Sequence, residues 1–309
     1  MAIIDGEGEV ELNGVVRIAY GLNSEGTLRL DGGTLLTRNI VMGAGSLAQI
    51  YFNGGTLIPT LAGQSMSGAI SLLISTNGAV INTAQADYTI PQAFNSDSSL
   101  NGAKDGGLLK TGSNPLTLSS TANTFNGPVR VTEGTLSAQL NGTNDLDVTA
   151  GATFNALAAN NTVGALSGEG ELINGIITVH GALDCGDSGA EAGAELNVAN
   201  LTMAGGSSYV CDWLTNAVGA VTCDYVSVGG DLNITGPGLI DFNRELGDPI
   251  PMPFEVEIMS YSNFSGSFAG WQAIGTGLPE DKAVATVVTA EDGVVTVKVS
   301  YGGLLMIVR

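Results

Sequence analysis

The chain has 309 residues, of which 45 are glycine and 44% are hydrophobic, and its 30 acidic and 10 basic residues give a net charge of −20 at pH 7. This apolar content excludes a disordered Gly/Ser linker, because disorder requires too little apolar surface to offset chain entropy. Nucleic acids and anionic membranes are bound through clustered Lys and Arg, which this sequence lacks. The acidic excess is instead expected to keep the molecule soluble through charge repulsion.

The first residues, MAIIDGEGEV, have neither the basic stretch nor the long apolar core of a signal peptide. The longest apolar runs, AISLLIS and LLMIV, are far shorter than the roughly 20 residues that cross a membrane as a helix. We therefore expect no membrane insertion by this chain. If the protein is exported, its native signal peptide is expected to be absent from this sequence.

Apolar and polar residues alternate in many short segments of the chain. The segments TLRLDGG (27–33), QIYFNGG (49–55), PLTLSS (115–120) and PVRVTEG (128–134) alternate over four or five residues and end on Gly or Ser. This period of two predicts strands, with Leu116, Leu118, Val129 and Val131 pointing into the core. No segment combines helical periodicity with capping residues, so we predict an all-β fold in which helix is scarce.

Several short phrases recur along the chain. DGGTLLT at 31–37 returns as NGGTLIP at 53–59, and GEGEVELNG at 6–14 is echoed by GEGELING at 168–175. A period of about 20 residues predicts a β-solenoid, in which each coil buries its apolar face by stacking on its neighbours. Chance recurrence in a chain rich in Gly and Thr is the alternative, and two copies of an eight-residue pattern argue against it. We assign residues 1–205 to the solenoid.

The segment GGLLKTGSNPLTLSSTANTFNGPVRVTEGTL (106–136) contains a characteristic spacing of Gly, Leu, Val and Asn residues. The residues of this pattern are Gly106, Gly107, Leu108, Lys110, Gly112, Leu116, Leu118, Asn123, Phe125, Gly127, Val131, Gly134, Thr135 and Leu136. This order resembles the autotransporter-associated β-strand repeat, and residues 20–205 resemble it more loosely. The departure is Asn114-Pro115, where Pro115 lacks an N–H and is expected to bulge the rung or to begin its strand. The resemblance implies a right-handed parallel β-helix on the exported side of a cell envelope.

From about residue 206 the sequence changes to longer strands. AVATVVTAEDGVVTVKVS predicts a hairpin that turns at 291–293, with Val295, Val297 and Val299 on one face. The segments FEVEIMSYSNFSGSFAGW and VVTVKVS are similar to the C-terminal ends of the same exported proteins. Because an uncapped solenoid end exposes apolar surface and unpaired strand edges, we assign residues 206–309 to a C-terminal β-rich cap.

The sequence carries few residues that suggest catalysis or metal binding. His180, the only histidine, lies in a predicted strand, and neither a nucleophile elbow nor zinc-ligand spacing accompanies it. We interpret His180 as an ordinary strand residue. Asp-rich turns with calcium-loop spacing are also missing from the sequence, so we predict no metal or cofactor.

Paired carboxylates are the remaining catalytic candidates, because β-helical polysaccharide lyases and hydrolases use such pairs along one groove. The pairs here are Asp145 with Asp147 and Asp184 with Asp187, each flanked by residues typical of solvated turns. Carbohydrate grooves also need aromatic platforms, and the two tryptophans, Trp213 and Trp271, lie in the presumed end region, away from these carboxylates. We therefore predict no catalytic residues.

Three cysteines, Cys185, Cys211 and Cys223, leave at least one thiol unpaired. A hairpin that turns near Ala217 would place Cys211 opposite Cys223, at a separation that a disulfide can bridge, and an exported protein meets an oxidising compartment. A register slip of one residue would send the two sulfurs to opposite faces. The alternatives are a Cys211–Cys223 disulfide and three buried thiols.

The sequence favours a non-catalytic, exported β-solenoid, secreted or at the cell surface, that serves as a structural or adhesive module. Its expected partners are surface glycans or other copies of itself. A carbohydrate-active β-helix, either a polysaccharide lyase or a hydrolase, is one alternative. A self-assembling subunit of a fibre or sheath is the other, because solenoid ends stack when a cap is missing.

Overall fold

In the computed structural model of the chain, residues 1–140, 142, 144–186, 193–215, 221–244, 253–275 and 284–301 are described. The chain divides into two compact units, the first made of residues 1–163 and 172–175 and the second of residues 164–171 and 176–309. Strands dominate both units, and the only helical element of the described residues is one 3₁₀ turn, Ser98–Leu100. The predicted all-β character and scarcity of helix are confirmed.

The described part of the first unit contains the strands up to β15 and part of β17. The complete strands are β1 (Ala2–Ile18), β2 (Glu25–Met42), β3 (Leu47–Phe52), β4 (Thr56–Pro59), β5 (Gln64–Ser65), β6 (Ile70–Ile74), β7 (Ala79–Asn82), β8 (Tyr88–Ile90), β9 (Phe94–Ser96), β10 (Leu108–Thr111), β11 (Leu116–Leu118), β12 (Val129–Val131), β13 (Thr135–Ser137), β14 (Leu146–Val148) and β15 (Thr153–Val163). Within this unit one sheet runs in the order β14-β12-β10-β7-β4-β2-β3-β6-β9, with β1 also paired to β2, and a second runs β15-β13-β11-β8-β5.

Parallel pairing in the first unit brings sequence repeats together. Thr34 of β2 pairs with Thr56 of β4, and Thr37 pairs with Pro59, so the two GGTL copies lie side by side in register. The same sheet pairs Glu25 with Leu47, at the same offset along the chain. Neighbouring strands here therefore carry successive copies of one pattern.

The core of the first unit is built from the inward positions of these strands. Leu116, Leu118, Val129 and Val131 are each 0% exposed, which confirms their predicted orientation. Strand β11 begins immediately after Pro115, whose carbonyl accepts a hydrogen bond from the N–H of Tyr88. The prediction that a strand begins at this proline is confirmed, because the missing N–H falls just outside the ladder.

Polar residues of the segment 106–136 support the contacts between strands. Lys110 is 0% exposed, and its ammonium donates to the carbonyls of Thr111 (3.1 Å), Gly112 (2.5 Å) and Glu133 (2.8 Å). Burial lowers the pKa of Lys110 to about 8, although Glu133 opposes the shift.

Gly107 has φ +72°, and a side chain there would strike the backbone of Pro128. Such close approach explains the paired glycines of this segment.

The second unit contains the remaining strands of the described chain. They are β16 (Leu166–Gly168), β17 (Glu171–Val179, of which 172–175 belong to the first unit), β18 (Ala182–Cys185), β19 (Glu195–Val198), β20 (Leu201–Met203), β21 (Ser208–Thr215), β22 (Val221–Cys223), β23 (Tyr225–Val228), β24 (Asp231–Ile234), β25 (Leu239–Arg244), β26 (Phe254–Ser260), β27 (Asn263–Gly266), β28 (Gln272–Ile274), β29 (Val284–Glu291) and β30 (Val294–Tyr301).

Parallel and antiparallel pairing coexist in the second unit. Parallel pairs join β16-β18-β21-β25-β28 in one sheet and β17-β20-β24-β27 and β19-β23-β26 in the other. Antiparallel pairs join β21 to β22, β26 to β30 and β29 to β30. Glu291 pairs with Val294 across a turn in which Asp292 and Gly293 have positive φ, so the predicted hairpin is confirmed.

One face of this hairpin lies in the core. Val295, Val297 and Val299 are each 0% exposed, which confirms that they share a buried face. Parallel pairs continue past residue 206 to β28, and antiparallel pairs are added beside them. The assignment of 1–205 to a solenoid and 206–309 to a cap stays a prediction.

Candidate functional site

Both carboxylates of the first predicted pair, Asp145 and Asp147, form ion pairs with basic side chains. Asp145 lies 3.4 Å from the ammonium of Lys104, and Asp147 lies 2.8 Å from the Nε of Arg130. Arg130 and Asp147 are cross-strand partners on β12 and β14. Each carboxylate therefore faces a basic partner, as is typical of a surface contact between strands.

A different group of carboxylates comes together in the second unit. Asp184 of β18, Asp212 of β21 and Asp224, just before β23, place carboxylate oxygens within 4.8 Å of one another. Asp212 and Asp224 are buried, at 8% and 1% exposure. We call these three residues the acidic cluster. Asp187, the predicted partner of Asp184, lies outside the described residues.

Strand pairing explains how the acidic cluster forms. Parallel pairing of β18 with β21 places Asp184 opposite Val210, on the same strand as Asp212 and close to it. The antiparallel β21–β22 pair then brings Asp224 to Asp212, whose carbonyl accepts from the N–H of Asp224 at 3.1 Å. Three side chains distant in sequence therefore meet beside two adjacent ladders.

Backbone donors hold Asp224 in the acidic cluster. Its Oδ1 accepts from the N–H groups of Gly193 (2.8 Å) and Ala194 (2.9 Å), and its Oδ2 accepts from the N–H of Asp212 (3.2 Å). The hydroxyl of Tyr209, which is 0% exposed, donates to the backbone carbonyl of Asp224. These contacts fix the carboxylate geometry, whereas the buried Oδ1 of Asp184 makes no hydrogen bond within the described part of the chain.

Burial and the nearby charge of Asp212 raise the pKa of two carboxyls in the acidic cluster, Asp184 and Asp224. Burial raises the pKa of Asp184 to about 6, and the charge of Asp212 adds to the shift. Burial also raises the pKa of Asp224 to about 7, against the opposing effect of its backbone donors. Carboxylates at this separation can share a proton or hold a cation between their oxygens.

The other sequence candidates lie apart from one another. His180 is exposed and follows the last residue of β17. Trp213 and Trp271 are buried, at 2% and 4% exposure, and the indole N–H of Trp271 donates to the carbonyl of Gly236 at 2.9 Å. Burial of both indoles gives them a packing role and removes them as exposed platforms for a sugar ring.

The cysteines of the β21–β22 hairpin are joined. Cys211 and Cys223 form a disulfide across a Cα–Cα distance of 5.9 Å, and Cys185 is a buried free cysteine. The residue directly opposite Cys223 is Trp213, so the predicted direct opposition of the two cysteines is wrong and the bridge runs diagonally. The predicted turn near Ala217 lies outside the described residues.

In the described part of the second unit, two neighbouring clefts share Phe264. The first has a volume of about 460 Å³ and is lined by Phe264, Phe268, Trp271, Val288, Ala290 and the turn 266–270. The second, of about 330 Å³, is lined chiefly by the polar side chains of Asn200, Thr202, Asp231, Asn233, Asn263 and Ser265. We call the second one the polar cleft.

The sequence singled out Asp184 but predicted neither the acidic cluster as a whole nor the polar cleft. Asp184, Asp212 and Asp224 lie far apart in the sequence, and no local spacing connects residues that only inter-strand register brings together. A signal for the polar cleft did exist, because NLTM (200–203), DLNI (231–234) and NFSG (263–266) each place two polar residues around one apolar residue.

In comparisons with known proteins, no family model and no curated protein matches the chain. Among the described residues, no helix is long and apolar enough to span a membrane.

Proposed function

We propose that this chain is a right-handed parallel β-solenoid module of an exported protein, with a non-catalytic structural or adhesive role at the cell surface. The observation that carries the proposal is the placement of the segment 106–136, whose resemblance to the autotransporter-associated repeat suggested export. Leu108 pairs with Val129, and Leu116 pairs with Leu136, so inward positions of the segment stack on one another. Stacked pattern residues are the basis of stability in solenoid repeats.

The charge and the carboxylate contacts support the non-catalytic role. Asp145 and Asp147 are engaged by Lys104 and Arg130, which fits a contact between strands better than acid–base chemistry on a substrate. A net charge of −20 suits an exposed surface module that must stay soluble.

Surface display is the experiment that tests this proposal. Cells of the source organism are labelled with a membrane-impermeant biotin reagent and, separately, treated with protease, and the chain is followed with an antibody. Labelling and protease sensitivity on intact cells support the proposal. Protection from both reagents until the cells are lysed overturns it.

An activity screen separates this proposal from a carbohydrate-active β-helix. Purified protein is incubated with pectin, alginate and mucin-type glycans, and reducing ends and unsaturated products are measured. Turnover that is abolished by Asp184→Ala or Asp145→Ala would replace the non-catalytic role with an enzymatic one. Absence of turnover on all three polymers supports the proposal.

A further inference from the structure

The polar cleft presents regularly spaced hydrogen-bonding groups from three successive parallel strands. Thr202 of β20 pairs with Asn233 of β24, which pairs with Ser265 of β27. A second row beside the first is formed by Asn200, Asp231 and Asn263. Parallel neighbours lie about 4.8 Å apart, so each row repeats its polar groups at that spacing.

Internal hydrogen bonds hold the two rows in place. Asn200 Oδ1 accepts from the N–H of Asp231 (2.9 Å), and the amide of Asn263 donates to Asp231 Oδ1 (2.9 Å). The hydroxyl of Ser265 donates to Asn233 Oδ1 (3.0 Å). A site whose side chains are already fixed loses less entropy when a ligand binds.

Hydrogen-bonding capacity is left over in the cleft. Among the described residues, the side chain of Asn233 makes contacts only through its oxygen, and the hydroxyl of Thr202 makes no hydrogen bond. In the same part of the chain the side-chain oxygen of Asn263 accepts no hydrogen bond, so donors and an acceptor face the cleft. The cleft therefore offers neutral donors and acceptors together, the combination that recognises hydroxyl groups.

Apolar groups complete the lining. Ile176 and the half-buried Phe264 border the polar rows, and Phe264 also lines the neighbouring cleft. Phe264 stacks parallel to Phe268 at 5.7 Å between ring centroids and lies 5.5 Å from the ring of Tyr261. Contacts with two aromatic rings therefore restrict the position of Phe264.

We propose that the polar cleft binds a neutral oligosaccharide. A sugar offers hydroxyl groups at its edges and C–H groups on its faces, which match the polar rows and the apolar border, and a repeating polymer matches repeating strands. Among the described residues, the lining includes the carboxylate of Asp231 and has no basic residue, so acidic glycans are disfavoured. A volume of about 330 Å³ lies within the range of small-ligand sites. This inference rests on the proposed function, since it names the ligand class of an adhesive module.

The test uses the full chain, an array of neutral cello-, manno-, xylo- and chito-oligosaccharides with acidic uronate oligosaccharides for comparison, and calorimetry on the best binder. Thr202→Val is the main variant, because it keeps the side-chain shape and removes a hydroxyl that makes no hydrogen bond to the described residues. Asn233→Ala is the second. Matched controls are Thr117→Val, a half-buried threonine of the first unit, and Asn197→Ala, an exposed asparagine on β19.

We expect binding of a neutral oligosaccharide, with Kd raised about tenfold by each cleft variant, as loss of a hydrogen bond predicts, and less than about twofold by each control. The inference is overturned if only acidic glycans or peptides bind, if nothing binds, or if the controls weaken binding as much as the cleft variants. If the binding experiment gives one of these negative results but the chain is displayed on intact cells, the inference about the cleft fails and the proposed function still holds. A chain that binds the oligosaccharide but is never displayed overturns the proposed function alone.

Discussion

Leu118 shows how much of the stability depends on single inward positions. It is 0% exposed and pairs with Ile90 of β8, which is also 0% exposed. Leu118→Asp would place a charge among stacked aliphatic side chains, at an expected cost of more than about 3 kcal/mol in the free energy of unfolding. Denaturant unfolding followed by circular dichroism measures this cost.

The control for Leu118 is Thr117→Asp, on the opposite face of the same strand. This change should cost less than about 1 kcal/mol in the free energy of unfolding, because position 117 is only half-buried. A Leu118→Asp variant that unfolds at the parent's midpoint would show that the inward assignment is wrong.

Lys110 stabilises the first unit through the three carbonyls that it bridges. Lys110→Met leaves those carbonyls without this donor, which we expect to cost about 2–4 kcal/mol at pH 7.5. The pKa of Lys110 is about 8 in the folded chain, below its ordinary value, so the unfolded chain binds this proton more tightly. Raising the pH from about 8 towards 10 therefore favours the folded wild type, and the variant lacks this gain. The unfolding free energies of both proteins at pH 7.5 and 9.5 test the prediction. The difference between wild type and Lys110→Met should be larger at pH 9.5, and a smaller difference there would contradict the prediction.

Asp184 is expected to destabilise the second unit at neutral pH. Its pKa of about 6 is raised by burial, so its contribution to stability is present below about pH 4 and lost as the pH rises through 6. Asp184→Asn is permanently neutral and should melt at a higher temperature than the wild type at pH 7.5, with a much smaller difference at pH 4.5. Asp145→Asn, on an exposed ion pair, is the control and should change the melting temperature little at either pH. An equal effect of Asp184→Asn at both pH values would refute this account.

At the scale of the element, the β21–β22 hairpin is closed by the Cys211–Cys223 disulfide. Cys185 is buried, and burial raises the pKa of its thiol, so it is protected from exchange in the folded chain. We expect one thiol per chain when the protein is denatured without reductant and titrated, and three after reduction. Three thiols without reduction would show that the hairpin is not bridged.

Strands and their pairing partners could be predicted wherever the information is local. DGGTLLT and NGGTLIP carry both the alternation and the turn that separates the copies, and they pair in register. The hairpin at 291–293 was predictable for the same reason, because Glu-Asp-Gly supplies the positive φ that the turn requires.

The acidic cluster and the polar cleft depend on register between strands whose spacing in sequence varies. Leu166 pairs with Leu183, whereas Ser208 pairs with Leu239 at almost twice that separation along the chain, so no fixed period locates the neighbours of Asp184 or Asn233. The same limit explains the error at Cys223, where a small shift of the assumed turn changed its opposite partner from Cys211 to Trp213.

At the scale of the whole molecule, part of the acidic excess lies on an exposed strand, β1. β1 pairs with β2 along one edge, and no other described strand pairs with it. Its Val10 and Leu12 are exposed, at 37% and 42%, in a segment where every other residue from Glu7 to Glu11 is a glutamate. Charges on an exposed strand oppose pairing with another chain, which is how many β proteins avoid aggregation.

If this interpretation is correct, removing the β1 charges should allow the chains to associate. The triple variant Glu7→Gln, Glu9→Gln, Glu11→Gln keeps the side-chain lengths and makes the strand less charged, so its apolar side chains and unpaired edge become available to a second copy. We expect the wild type to be monodisperse by light scattering at pH 7 and the variant to form larger species whose size grows with concentration. The matched control, Glu169→Gln, Glu171→Gln, Glu195→Gln, makes the same change in net charge at exposed positions of the second unit and should stay monodisperse. If both triple variants associate equally, net charge rather than β1 controls assembly, and if neither does, the β1 carboxylates have no protective role.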